Sequence, residues 1–176
     1  MNVVLKSNFL LIISVCLIFP IFLFSCARIS NSQQNEMTPL IAELKVLDIS
    51  VKDTISVQIE FTLRNMSADS LEILKWGTPF EGGFSDDMFD VKLDGKQIRY
   101  IGMQIKRGTP QPQDFVKIDP HGALSATLLL EKGYALKEAG QYSVQYSKPY
   151  VSARLNGNRE QLLPVQSSEV AFTVVK

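Results

Sequence analysis

Histidine is nearly absent from this sequence: His121 is the only one in 176 residues. Cysteine is almost as scarce, with Cys16 and Cys26 alone. These shortages exclude a good deal of chemistry. A catalytic zinc site built on paired imidazoles, a multi-cysteine zinc site and a disulfide framework all need ligands the chain does not have. A Ser-His-Asp triad has only His121 to build on. Excess charge of either sign is missing too, since 18 Lys and Arg balance 18 Asp and Glu. No net positive field exists to drive nucleic-acid binding through counterion release. What remains is a globular composition, 45% apolar and 20% charged, of a length that fits one domain. The residues imply no cofactor.

The first 25 residues read as an address. Their only charged side chain is Lys6, and Phe9 to Phe24 is apolar apart from Ser14 and Pro20. That run is shorter than the roughly 20 residues of a membrane-spanning helix, and Pro20 interrupts it. A secretory signal core is the better match. The run closes on Leu23-Phe24-Ser25-Cys26, which resembles a bacterial lipobox, although Phe24 is bulkier than the residue usual there. A short membrane anchor with an incidental cysteine is the alternative. The lipobox implies that 1–25 is a lipoprotein signal peptide and that Cys26 is lipidated. Several acyl chains then hold the protein on a membrane. Ala27 after the cysteine resembles the pattern of outer-membrane lipoproteins facing the periplasm. Residues 26–38, rich in Ser, Asn and Gln, form a flexible tether with too little apolar surface to pack.

Residues 39–176 read as strands. From Ile55 to Leu63, five apolar residues alternate with Ser56, Gln58, Glu60 and Thr62, which places all five on one face. Leu44 and Val46 share one parity, while Leu47, Ile49 and Val51 share the other. Such a switch signals a bulge or a change of sheet. Further strands are predicted at Leu71–Trp76, Phe89–Leu93, Gln97–Ile101, Leu124–Leu130, Tyr142–Tyr146 and Val170–Val174. Asp94-Gly95 marks a tight hairpin. Only Tyr134–Ala139 reads as helical. Gly140-Gln-Tyr142 has the form of a tyrosine corner. The prediction is an all-β, immunoglobulin-like antiparallel β-sandwich.

The middle of the chain carries a set of unusual pieces in one order. They are Trp76-Gly77-Thr78-Pro79-Phe80-Glu81-Gly82, then Phe89-Asp-Val91 with Asp94-Gly95, then Lys106-Arg107-Gly108-Thr-Pro110, and finally Gly140-Gln-Tyr142-Ser-Val144. Together they resemble the N-terminal pro-region of bacterial peptidyl-Lys metalloendopeptidases of the deuterolysin (aspzincin) type. Gly77 and Phe80 stand where that family has Asn and Leu. The family's H-E-x-x-H helix has no counterpart here, because His121 lies in the turn tetrapeptide Asp119-Pro120-His121-Gly122. The resemblance therefore implies a binding partner rather than catalysis: a zinc metalloprotease, which such a domain would inhibit or help to fold.

Trp76, Thr78, Pro79, Phe80 and Glu81 are the predicted contact residues. Trp and Phe are frequent interface anchors, and Gly82-Gly83 lets a backbone come close. The competing expectation is a β-arch whose Trp and Phe cap the core. Asp86, Asp87 and Asp90 lack calcium-loop spacing and read as a solvated acidic loop. Lys106, Arg107 and Lys117 read as a solvated edge, and Asn65-Met66-Ser67 as a sequon without consequence in a bacterium. Two other functions stay open: an adaptor lipoprotein that binds another envelope component or a small ligand, and an enzyme in its own right, for which no nucleophile can be nominated.

Overall fold

The computed structural model describes residues 39–175. The predicted signal peptide, the lipidation site Cys26 and the tether 26–38 lie outside the described residues. The described residues all belong to one compact unit, Asn35–Lys176, with its own hydrophobic core.

Eleven strands build it. They are β1 (Leu40–Val51), β2 (Ile55–Asn65), β3 (Leu71–Leu74), β4 (Phe89–Leu93), β5 (Lys96–Gln97) and β6 (Phe115–Ile118). Then follow β7 (Ala123–Leu129), β8 (Gly140–Tyr146), β9 (Tyr150–Leu155), β10 (Glu160–Ser167) and β11 (Val170–Val174). A seven-stranded sheet runs β6-β3-β9-β10-β1-β2-β7, and a four-stranded sheet runs β11-β8-β4-β5. The two sheets face each other as a β-sandwich, as the alternating pattern predicts.

β2 shows why. Ile55, Val57, Ile59, Phe61 and Leu63 are each at most 3% exposed, while the residues between them are partly open. A period of two in sequence becomes two faces in space. Burial of five such side chains is worth on the order of 10 kcal/mol before chain entropy is counted. The parity switch in β1 is a bulge: the pairing with β2 shifts between Val46 and Asp48, which leaves Leu47 unpaired and 43% exposed. Leu44, Val46 and Ile49 still pack against the core.

Three expectations need correction. The sandwich is not wholly antiparallel, since β1 and β10 run parallel from Leu40↔Val165 to Ala42↔Ser167. This follows from the end of β10, which passes beside the start of β1 before the chain crosses into β11 of the other sheet. The strand expected at Gln97–Ile101 is only Lys96–Gln97, after which a single bridge joins Tyr100 to Tyr134. The helix expected at Tyr134–Ala139 is absent: one 3-10 turn forms earlier, at Leu130–Lys132, and Leu130 belongs to it rather than to β7. Tyr134 is held instead by its hydroxyl, which donates to Asp87 Oδ1 at 2.7 Å and accepts from the Phe89 N–H at 2.8 Å. Strands β6, β9 and β10 have weaker sequence signals. The β9–β10 hairpin does carry one, Asn156-Gly157, and both residues adopt the positive φ of a type I′ turn. Asp94-Gly95 does the same between β4 and β5.

The tyrosine corner forms. Tyr142, wholly buried, donates its hydroxyl proton to the Glu138 carbonyl at 2.6 Å and stacks on Phe172 of β11. Tyr146, two positions beyond Val144 on the same face, buries a hydroxyl that has no hydrogen-bond partner among the described residues. Asn65 is also fully buried. Its amide donates to the carbonyls of Asp69 and Asp119, and its carbonyl accepts from Ser67, so the sequon side chain is committed to the interior.

The two tyrosines make a matched test. Tyr142→Phe removes the bond from a buried ring to the Glu138 carbonyl and is expected to cost about 1 kcal/mol in urea unfolding. Tyr146→Phe removes an orphan hydroxyl and is expected to be neutral or stabilising. Equal losses in the two variants would contradict this assignment of the hydroxyls.

Candidate functional site

The predicted contact segment leaves β3 and is tied down at once. Lys75 N–H donates to the Asp114 carbonyl at 2.8 Å. The Thr78 hydroxyl donates to the Lys75 carbonyl at 2.6 Å and accepts from the Phe80 N–H at 3.3 Å. Thr78 thereby caps a 3-10 turn over Pro79–Glu81, where Pro79 suits the first position and Gly82 closes the turn at φ 78°. Thr78 and Pro79 are buried. Phe80 points inward, its ring 5.5 Å from that of Phe61 and edge-on to it. Phe84, 8% exposed, packs edge-on against Phe89 and Tyr134. Phe80 and Phe84 thus cap the core, as the β-arch alternative expects.

Trp76 and Glu81 face outward to different degrees. Trp76 is half-buried beneath the Arg107 guanidinium, which sits 5.5 Å from the ring centroid. Glu81 holds the loop together. Its carboxylate accepts from the Gly77 N–H at 2.9 Å, from the Ser85 hydroxyl and from Arg107. With 15% of its side chain exposed and three donors satisfied, Glu81 works as a clamp between two loops. Arg107, read from sequence as one of several edge cations, is the other half of that clamp. Lys106 is exposed beside it, and Lys117 lies on β6, paired with Asp119.

The three aspartates separate. Asp86 accepts from Lys148 at 2.8 Å, Asp87 from the Tyr134 hydroxyl at 2.7 Å, and Asp90 lies 2.7 Å from Lys92. Among the described residues, no group of three or more His, Cys, Asp or Glu is placed to hold a metal ion. Partial burial pushes the Asp86 pKa up, but the hydrogen bonds from Lys148 and the Asp87 N–H and the Lys148 charge outweigh it, so it lies below 3.8. Burial first, and then the bond to Asp87, pushes the Tyr134 phenol above its usual range. His121 sits in its turn at φ 56°.

Sequence reasoning missed the apolar surface next to this loop. Ile101, Met103 and Ile105 are 55%, 68% and 44% exposed and alternate along an irregular segment outside either sheet. Met103 and Ile105 line one concavity with Glu81, Gly82, Phe84 and Arg107. Their alternation is a strand signal, and only the tertiary structure shows that neither sheet takes it up. On the other side of Trp76, a cleft of about 150 Å³ is lined by Trp76, Thr78, Asp86, Lys148 and Tyr150. The result is a mixed aromatic, aliphatic and charged surface.

No family model matches the chain. A search of characterised proteins finds the extracellular protease of Aeromonas hydrophila, 29% identical over 128 residues. The match covers 73% of this chain and 35% of that protein's length. The chain is therefore a β-sandwich related in sequence to about a third of a protease. A solved structure, a Northeast Structural Genomics Consortium target, aligns at a TM-score of 0.36 and 8% identity, covering 74% of this chain and 83% of that one. That likeness is too loose to support an inference.

Phe80→Ala is expected to destabilise the fold by about 2–3 kcal/mol, because it empties the space over Phe61. Trp76→Ala is expected to cost less than about 1 kcal/mol, since it loses a partly solvated cation–π contact. Thermal or urea unfolding of both variants distinguishes a capping Phe from a surface Trp, and the reverse order of costs would overturn the assignment.

Proposed function

We propose that this domain is a non-catalytic partner-binding module of the protease pro-region kind. It binds a zinc metalloprotease in trans, as an inhibitor or a folding helper. The observation that carries this reading is the similarity of most of the chain to part of an extracellular protease. The residue inventory agrees with it. A zinc-protease helix needs two imidazoles one turn apart and a glutamate between them, and this sequence holds one histidine.

The contact surface in this reading is Trp76, Met103, Ile105 and Arg107, with Glu81 fixing its shape. Thr78, Pro79 and Phe80 support it from beneath. Exposed apolar side chains beside an aromatic–arginine stack are the composition of an interface centre. The reading also takes Cys26 as the lipid anchor that holds the domain at the bacterial envelope.

The test uses the chain from Ile29 onward. Titrated into a lysine-specific zinc metalloendopeptidase that lacks its own pro-region, it should slow cleavage of a lysine-containing peptide or raise the refolding yield of the enzyme. Met103→Ser with Ile105→Ser should weaken the effect at least about tenfold, the equivalent of about 1.4 kcal/mol, while the melting temperature holds. The absence of inhibition, of assisted refolding and of binding alike would end the protease reading and leave the adaptor function in its place.

The anchor has its own test. In the full chain, Cys26→Ser should move the protein from the membrane pellet to the soluble fraction and abolish acyl labelling. An unlabelled wild-type protein would remove lipidation from the proposal.

A further inference from the structure

An open sheet edge is a standing invitation to pair with another chain, and proteins usually guard it with charge, proline, a bulge or short length. Most edges here are guarded. β5 has two residues. β6 has four and carries the Lys117–Asp119 pair at its end. The stretch of β1 beyond its pairing with β10 carries Glu43, Lys45 and Asp48 and is broken by the bulge at Leu47. β11 runs close beside β1.

The outer edge of β7 differs: the Pro79–Glu81 turn packs near it but makes no hydrogen bond to it, and the strand itself carries none of these guards. Ala123-Leu-Ser-Ala-Thr-Leu-Leu129 has no charge, no proline, no glycine and no register shift against β2. Among the described residues, no backbone–backbone or side-chain hydrogen bond reaches β7 from outside the β2 ladder, apart from the pair that the Ser125 hydroxyl makes with Thr62. The inner face is also unfinished at this edge. Leu128 is 4% exposed, but Leu124 and Ala126 are only half-buried, whereas their ladder partners Leu63 and Phe61 are fully buried.

We infer that β7 pairs antiparallel with β7 of a second copy, across a two-fold axis at Ala126. The occupant follows from the strand's own pattern. About Ala126 the sequence is close to symmetric, so Leu124 meets Leu128, Ser125 meets Thr127 and Ala123 meets Leu129. Apolar residues face apolar residues on the inner side, hydroxyls face hydroxyls and Ala123 faces Leu129 on the outer side, and no like charges oppose one another. Such an isologous contact makes every favourable pair twice. It satisfies the free edge groups and finishes the burial of Leu124 and Ala126. The inference does not rest on the protease reading.

The domain, which carries its own core, is tested from Ile29 onward, without Cys16 and Cys26. Sedimentation over a hundredfold concentration range should show a reversible monomer–dimer equilibrium. Thr127→Lys, at an exposed position, should weaken it at least about tenfold by setting a charge on each side of the axis, with the circular dichroism unchanged. A second measurement fixes the register and does not depend on that variant. Ser125→Cys and Thr127→Cys chains, mixed under mild oxidation, should form a mixed disulfide, because directly opposed antiparallel residues lie within its span. Each variant alone should cross-link far less. Monomer at every concentration, a dimer indifferent to Thr127→Lys, or cross-linking no better in the mixture than in either variant alone would each overturn the proposal.

Discussion

The packing of Phe61 organises this domain. Its ring, in the middle of β2, lies 5.5 Å from Phe80, 6.5 Å from Phe89 and 4.8 Å from Tyr146. Phe80 belongs to the capping loop, and Phe89 and Tyr146 belong to the facing sheet. One side chain therefore touches both layers and the loop that closes the end between them. Aromatic rings gain from such edge-on and tilted contacts beyond the area they bury. The contacts are also directional, so the capping loop is set at a fixed height over the sandwich. The Glu81–Arg107 clamp acts outside that anchor and holds the loop's rim against the next segment.

The rim differs from the core in kind. Beneath it, Thr78, Pro79, Phe80 and Phe84 belong to the fold. Above it, Trp76, Arg107, Met103 and Ile105 offer apolar and cationic surface to water. A fold of this sort hosts many functions, so the reading as a protease-binding module rests on sequence similarity and on the chemistry of that surface. β7 lies against the Pro79–Glu81 turn of the capping loop, and its outer edge offers backbone groups where the rim offers side chains.

The strand pattern was largely legible. β2, β4, β8 and β11 follow from alternation, and the bulge in β1 follows from a change of parity. Asp94-Gly95 and the tyrosine corner follow from local backbone chemistry. The contact segment was half legible: an unusual Trp-Pro-Phe-Glu string marks a built loop, but the string does not say which aromatic faces inward. Phe80 turns to the core because Phe61 waits there, and Trp76 turns out because Arg107, 31 positions along the chain, covers it. The signals at Arg107 and Met103 were there but did not give their place: alternation suggests a strand that neither sheet takes up, and a cation in a loop fits many environments.

By itself the sequence determined the balance of the chemistry. One histidine and no net charge are facts of composition, and no folding adds an imidazole. It also determined most strand faces, because a period of two is written residue by residue. Only the tertiary structure decided the parallel pairing of β1 with β10, the loss of the expected helix at Tyr134 and the open edge at β7. Each of these depends on which distant segment arrives alongside. Tyr134 gains more from burying its ring and bonding Asp87 and Phe89 than from a short helix, which is marginal on its own. That choice is made by packing between residues some 45 positions apart.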